Sequence, residues 1–374
     1  MRGLLLQVFV VALLALAVWY LAANTLENMR VRGIQSGFDF LRTPAGFDIG
    51  ESLIPYDALQ PYWKAFLVGL LNTLRVAALG IVLATAVGTL IGIGRFSRNA
   101  LVRGLCYAYV EFFRNVPVLL QLLMWYLILT DMLPPLSEAI SLGGLFYLSN
   151  NGFKFPIPVW EAGHGFALLG LLAGAVAAWG YRRCAIHRFE ATGRARSTVL
   201  APVAIALAGA ALGWALGGAP TAFSVPQIDG FLVSGGATAT PEFLAVLIGL
   251  VFYTAAFIAE VVRAGIGSVP HGQLEAAASL GLTRAQLLRL VILPQALRVI
   301  VPPLTSQYLN LTKNSSLAVA IGYPDVVSIA NTSINQTGRA VECIAIIMAV
   351  YLSTSLATAA FMNWYNRRVA IRER

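Results

Sequence analysis

Long apolar runs separated by short polar stretches constrain this sequence more than any other feature. Residues 66–94 hold one charge, Arg75, and residues 241–259 hold one, Glu242. A helix needs about 20 largely apolar residues to cross a bilayer core, where every backbone N–H and C=O must be satisfied within the segment. Runs able to do this fall at residues 3–23, 66–94, 105–133, 165–180, 199–217, 241–262, 295–321 and 340–364. The chain therefore reads as an all-α integral membrane protein with about eight spans. Its composition, 58% hydrophobic and 11% charged, departs in the same direction from the soluble average of roughly 45–50% apolar and about 25% charged.

Several functions drop out at once. The net charge of +9 does not indicate a nucleic-acid partner, because the basic residues flank apolar runs as membrane topology requires. Cys106, Cys184 and Cys343 are dispersed, as are His164, His187 and His271, so neither a disulfide framework nor a metal site is expected. A phosphate-binding loop needs a lysine preceded by glycine, and none of Lys64, Lys154 and Lys313 follows one. No nucleotide or other cofactor is expected in this chain, and no enzyme activity of its own.

Residues 268–294 break the apolar pattern. His271, Gln273, Glu275, Arg284, Gln286 and Arg289 recur too often for a span, since a charge at the bilayer centre costs roughly 2.5–3.5 kcal/mol. Pro270 starts a short helix that Gly281 can end in the left-handed conformation. Thr283 opens a second helix, with Gln286 three residues on to close a capping box, and Pro294 ends or kinks it. The alanines leave a thin helix able to lie deep in another protein's groove, gripped by one acidic side chain, Glu275. An ordinary interfacial helix joining two spans is the other reading.

Glu275-Ala276-Ala277, three residues, Gly281, nine residues and Val291-Ile292-Leu293-Pro294 resemble the coupling loop of ATP-binding-cassette (ABC) importer membrane subunits, departing by Val291 in place of Ile. Three further stretches resemble the polar amino-acid permease group of these importers. Glu111-Phe112-Phe113-Arg114-Asn115-Val116-Pro117 with Gln121 is similar to its Glu-x-x-Arg-Gly-x-Pro-x-x-x-Gln segment, with Asn115 in place of glycine. Asn72-Thr73-Leu74 resembles the opening of its first core span, and residues 311–317 resemble a Leu-x-Lys-Asp-Thr-Ser-Leu stretch, with Asn314 and Ser315 replacing Asp and Thr. The enlarged layout is most similar to the general L-amino-acid permease subunits of Gram-negative bacteria.

That resemblance implies a type I ABC importer transmembrane fold, with a five-helix core plus one N-terminal and two inserted spans. It divides the chain into an N-terminal helix and outer loop (1–62), two core spans (63–133), an insertion with outer loops and two spans (134–240), and three core spans with the coupling loop (241–374). It implies partners: a second homologous permease subunit in a heterodimer, an ATPase dimer that binds ATP and Mg, a periplasmic amino-acid-binding protein, an L-amino-acid substrate and the bilayer. Glu275, Ala276, Ala277, Gly281, Arg284 and Pro294 would meet the ATPase. Residues 3–23 read as a retained first span, with a cleaved signal peptide as the rival, Ala15-Leu16-Ala17 resembling a cleavage site. Most basic residues share a side with residues 268–294, which places both termini and that loop in the cytoplasm of a bacterial inner-membrane protein.

A zwitterion crossing the bilayer needs polar groups near mid-membrane, where irregular helices supply them. An irregular break at Lys313, Asn314, Ser315 and Ser316 is the first candidate, with Asn310 and Gln307 nearby; the alternative is that Lys313 snorkels or pairs structurally. Glu111 and Arg114 either meet substrate or pair with each other at a spacing of three. Arg75 is either a pathway charge or half of a buried ion pair. Glu342 and Asp325 read as solvated residues at the outer rim, and Glu260 with Arg263 as a brace at the inner end of its span. An importer of another small polar solute, or an ion-coupled transporter with no ATPase, are the alternative functions, and the second would want an acidic relay through several spans.

Overall fold

The computed structural model describes residues 2–31, 33, 36–193, 197–229 and 232–369. Part of the expected Arg-rich C-terminal end, from 370 onward, lies outside them. The chain is mostly helical and divides into two compact units, Met1–Met132 with Thr240–Arg374, and Leu133–Ala239.

The first unit begins with α1 (Arg2–Val31), whose apolar stretch Leu6–Thr25 buries nothing. Residues 37–61 then form a strap without regular structure apart from a 3-10 turn at Asp39–Arg42. The N–H of Ala45 donates to Gln60 O and that of Gly46 to Ala58 O, both at 2.9 Å, so the strap doubles back on itself and runs directly into α2 (Tyr62–Gly94). The expected third span is instead two helices, α3 (Ala100–Asn115) and α4 (Val118–Leu127), the latter extended by a π-helical turn to Met132, meeting at 105°. Pro117 is the reason: the residue before a proline is driven out of the helical region, and Val116 is extended at φ −96°, ψ 129°.

In the second unit, stretches that read as Gly-, Pro- and aromatic-rich loops form short strands. They are β1 (Ile140–Leu142), β2 (Phe146–Ser149), β3 (Gly152–Phe155) and β4 (Ile157–Pro158) before the helical hairpin α5 (Ala162–Thr192) and α6 (Leu200–Leu216). After it come β5 (Phe223–Ser224), β6 (Gln227–Asp229), β7 (Leu232–Ser234) and β8 (Ala237–Ala239). One antiparallel sheet has the order β1-β2-β3-β8, and β4-β5 and β6-β7 are two-stranded.

The first unit resumes with α7 (Pro241–Gly267), α8 (His271–Ser279), α9 (Arg284–Leu287), α10 (Leu293–Asn314), α11 (Val326–Thr337) and α12 (Ala340–Val369). A π-helical turn, Leu288–Ile292, joins α9 to α10, so the helix expected to end at Pro294 runs on through it. Pro294 sits in the first turn of α10, where a missing N–H is tolerated. Among the described residues six helices are long and apolar enough to cross a membrane, or seven if the bent α3–α4 pair is one span. The remaining expected span, α6, has 17 residues and reaches only about 25 Å.

The core of the first unit is built on the α2–α7 contact. A Cβ on Gly88 would fall 2.7 Å from Ala255 O, and one on Gly92 2.8 Å from Ala259 O, so only glycine lets the two backbones approach this closely. Val68, Val76 and Ala84 of α2 and Leu250, Ile258 and Ala259 of α7 are fully buried, Ile258 directly against Gly88. In lipid the gain is dispersion and close packing rather than transfer from water.

Candidate functional site

The segment between α7 and α10 builds a short exposed helix on a fixed base. The Ser268 hydroxyl donates to Gly265 O at 2.8 Å, and Val269 is buried, which ends α7 firmly. Pro270 caps α8 in an extended conformation instead of occupying its first turn. Ala277 is buried against the unit, whereas Glu275, Ala276 and Arg284 face outward. Gly281 takes φ +71°, the left-handed conformation expected of it. The Thr283 N–H donates to Gln286 Oε1 at 2.9 Å, and Gln286 N–H to Thr283 Oγ1, forming the capping box of α9. Gln295 Nε2 donates to Val291 O at 3.1 Å and also to Gln273 Oε1, tying α8 to the start of α10.

Sequence reasoning passed over Leu280. It is 80% exposed at the tip of α8, and a large apolar side chain on an otherwise polar turn was the signal available. Glu260 also does more than pair within its helix. It accepts from Arg263 and from Arg95 at the C-terminal end of α2, and the Arg95 guanidinium lies 5.5 Å from the Tyr107 ring, so one carboxylate joins α2, α3 and α7.

The candidate pathway residues separate into two groups. Asn310 and Lys313 lie on the exposed side of α10, joined there at helical spacing by Ser306, which the sequence reading did not single out, with Gln307 and Asn314 half-buried beside them. Among the described residues the Lys313 ammonium has no ion pair or hydrogen bond. The expected irregular break is a change of pitch instead of an interruption: α10 continues through Asn314 and tightens into a 3-10 helix, Ser315–Ile321, before Gly322 at φ +80°. The Ser315 hydroxyl donates to Thr312 O and the Ser316 hydroxyl to Lys313 O, both at 2.7 Å, satisfying carbonyls where the helix changes pitch.

Glu111 and Arg114 do not pair. The Arg114 guanidinium lies 5.3 Å from the Phe257 ring, and Glu111 Oε2 accepts from Asn115 Nδ2 at 3.4 Å. Gln121, 1% exposed, turns its amide back to donate to Phe113 O at 3.0 Å and Val116 O at 2.9 Å. These carbonyls end α3, so Pro117 breaks the helix and the glutamine four residues later caps the broken end.

Arg75 forms a buried ion pair with Glu51 of the strap, and its guanidinium lies 3.9 Å from the Phe243 ring. Glu51 also accepts from the Thr240 hydroxyl at 2.5 Å. Asn72 Nδ2 donates to Glu51 O at 2.8 Å and Pro324 O at 2.9 Å, and Thr73 Oγ1 accepts from Val326 N at 3.2 Å. The Asn72-Thr73 pair thus fastens the strap and the start of α11 to α2.

Asp325 and Glu342 are buried, contrary to a solvated rim. Asp325 caps α11 by accepting from Ser328 N–H at 2.8 Å, and burial pushes its carboxyl up to about 7. Glu342 accepts from Gly37 N–H at 2.6 Å, and Arg339 donates to Gly37 O at 2.9 Å, because the strap covers the first turn of α12. Burial likewise lowers the ammonium of Lys154 in β3, which donates to the Thr238 hydroxyl at 3.1 Å.

Residues 197–371 match the family described as the binding-protein-dependent transport system inner membrane component. The general L-amino acid transport system permease protein of Rhizobium johnstonii is 47% identical over 100% of this chain and 93% of its own length. The glutamate/glutamine/aspartate/asparagine transport system permease protein of Rhodobacter capsulatus is 40% identical over 100% of this chain and 95% of its own. Among solved structures, an amino acid ABC transporter crystallised with histidines aligns at a TM-score of 0.49 and 21% identity, covering 82% of this chain and 95% of that one.

Proposed function

The chain belongs to the inner-membrane components of binding-protein-dependent transport systems, and from that premise we infer that it is the permease subunit through which an ATP-driven importer carries L-amino acids from periplasm to cytoplasm. It is a multi-pass inner-membrane transport protein. The observation that carries the finer reading is α8, a short helix held at its base by Ala277 and the Gln273–Gln295 contact while Glu275, Ala276 and Leu280 face outward. A separate ATPase dimer, binding ATP and Mg, docks there. The carboxylate of Glu275 meets a basic group, and Leu280 enters an apolar recess. Closure of that dimer moves α8 and rocks the spans between inward-open and outward-open states.

A second, related permease subunit completes the pathway, and a periplasmic amino-acid-binding protein delivers the substrate. Both termini lie with α8 on the cytoplasmic side, as the distribution of basic residues favours. The stripe of Ser306, Asn310 and Lys313 on α10 offers an ammonium to the substrate carboxylate and neutral partners to its polar atoms.

The test is ATP-dependent uptake of labelled glutamate, glutamine and leucine into vesicles holding the assembled complex, with wild type and Glu275→Arg compared. The variant is expected to lose uptake and stable ATPase association together. Uptake without ATP, or normal transport by the variant, overturns the reading; transport of a different solute overturns only the substrate class.

A further inference from the structure

The Glu111–Arg114 couple at the end of α3 is held open. Residues three apart on a helix face lie about 5–6 Å apart at Cβ and pair readily when oppositely charged, and both of these side chains are exposed. Each is instead drawn elsewhere: the guanidinium lies 5.3 Å from the Phe257 ring of α7, and the Glu111 carboxylate accepts from Asn115 Nδ2 at 3.4 Å. Among the described residues Arg114 has no carboxylate partner. Phe257 fixes the depth of this contact. It stands sixteen residues after the start of α7 and ten before its end, or ~24 and ~15 Å at 1.5 Å per residue. The guanidinium therefore sits beside the middle part of a helix able to span the membrane, where a charge without a partner marks a functional position.

α7 and α10 run antiparallel, with Gly265 packed on Ile300 toward one end and Phe243 meeting Tyr323 at the other. From the Gly265–Ile300 contact, Phe257 is eight residues along α7 and Gln307 seven along α10, or ~12 and ~10 Å. Gln307 and Asn314 follow Ile300 at intervals of seven, so they fall on the side of α10 turned to α7. The half-buried amide of Gln307 is thus level with the Arg114–Phe257 contact. Lys313 is thirteen residues from Ile300, ~20 Å along the helix and farther from α8.

The ammonium and carboxylate of an amino acid are borne by one carbon, so groups that receive both must stand side by side without having neutralised each other. Glu111 and Arg114 meet that condition because an aromatic ring competes for the guanidinium. We propose that Phe257 is a positioning residue, whose ring draws Arg114 away from Glu111 and so leaves the two charges to the carboxylate and the ammonium of the solute. The assignment rests on the reading of the chain as an amino-acid permease. It adds to Lys313 a second carboxylate position nearer α8.

The test measures equilibrium binding to the complex with its partner subunits in nanodiscs, without the binding protein. The probes are whichever of glutamate, glutamine and leucine the vesicle assay shows to be carried, and its α-carboxamide, which keeps the ammonium and lacks the carboxylate. Arg114→Gln should weaken binding of the amino acid about tenfold, the loss of a charge-assisted contact, and leave the carboxamide no weaker. Glu111→Gln should weaken both. Phe257→Leu should weaken both about threefold and add nothing to Glu111→Gln, where the guanidinium has no carboxylate to fall back on; Phe257→Tyr, which keeps a ring, should bind as wild type does. Equal weakening of amino acid and carboxamide by Arg114→Gln overturns the proposal. So does a Phe257→Leu loss that is undiminished in the Glu111→Gln background, which would mark a merely structural ring. A wild-type complex that carries none of the three amino acids overturns instead the reading on which the proposal rests.

Discussion

Replacing Arg75 and Glu51, singly and together, separates the two roles open to an arginine within a span. The Arg75 side chain is 20% exposed and that of Glu51 8%, so the pair is largely out of water. Unit charges about 4 Å apart at an effective dielectric near 20 attract by roughly 4 kcal/mol, and breaking a buried pair by removing one partner costs about 3–5 kcal/mol. Arg75→Met leaves the Glu51 carboxylate with the Thr240 hydroxyl as its remaining side-chain partner. A loss of ~3 kcal/mol is expected, a midpoint drop of roughly 4 °C for a chain of 374 residues at about 2.1 cal/mol/K of unfolding entropy per residue. Glu51→Gln should be milder, because the Phe243 ring still faces the guanidinium. The double variant should recover part of the loss, giving a coupling energy of ~2 kcal/mol in the cycle.

Thermal unfolding of the purified complex reads the cycle, and uptake read in parallel distinguishes structure from transport. A purely structural pair returns uptake together with stability in the double variant. If instead the single losses simply add, the ion pair contributes nothing and the structural argument fails. Recovered stability without recovered uptake would place Arg75 in contact with substrate.

Two further perturbations follow from single contacts. Gln121→Ala removes the donors to Phe113 O and Val116 O at the α3–α4 bend; a loss of about 1–3 kcal/mol is expected from the buried carbonyls left unpaired, and Gln121→Glu, which offers no such donors when ionised, should not rescue it in thermal unfolding. Asp325 has a carboxyl raised from 3.8 to about 7 by burial, so the neutral form favours the folded state: its contribution is whole below pH 3.8 and is lost as pH rises through about 7. At about 1.36 kcal/mol per pH unit the loss reaches roughly 4 kcal/mol. Asp325→Asn keeps an acceptor for Ser328 N–H and should be more stable than wild type at pH 8, with a flatter profile; a wild-type midpoint independent of pH would refute the assignment.

What could be read in advance depended on how local its cause was. Gly281, Thr283 and Gln286 carry their structural meaning within a few residues of themselves, and the segment around α8 was legible to that precision. Pro117 was equally visible, but apolar residues continue on both sides of it, and only the capping role of Gln121 shows that the span turns through 105°. The partners of Arg75, Asp325 and Glu342 lie in, or are covered by, a strap and turns with no periodicity, where sequence spacing has no predictive hold. The short strands of the second unit were missed for a related reason. Runs of two to four residues are too brief for alternation to register.

These contacts also determine where a displacement of α8 can go. At its N-terminal side α8 hangs from α7, whose C-terminal end is locked to α2 by Gly92 and by the carboxylate shared between Arg95 and Arg263. At the other side it is held to α10 through Gln273 and Gln295, and α10 is pressed against α7, where a Cβ on Gly265 would fall 2.3 Å from Ile300 Cγ1. On the proposed coupling role, pull on α8 would therefore be delivered to α2, α7 and α10 together through these contacts. The softer element lies between: the π-helical turn Leu288–Ile292 followed by Pro294, where regular i→i−4 hydrogen bonding is already interrupted. Beside it is an apolar cleft of about 570 Å³ bordered by Ile93, Val262, Leu293, Leu304 and Phe361, which leaves space on one side of the N-terminal half of α10. If α8 is the coupling helix as proposed, motion driven there is expected to be taken up as bending at Leu288–Pro294, with the α2–α7 pair moving as one piece.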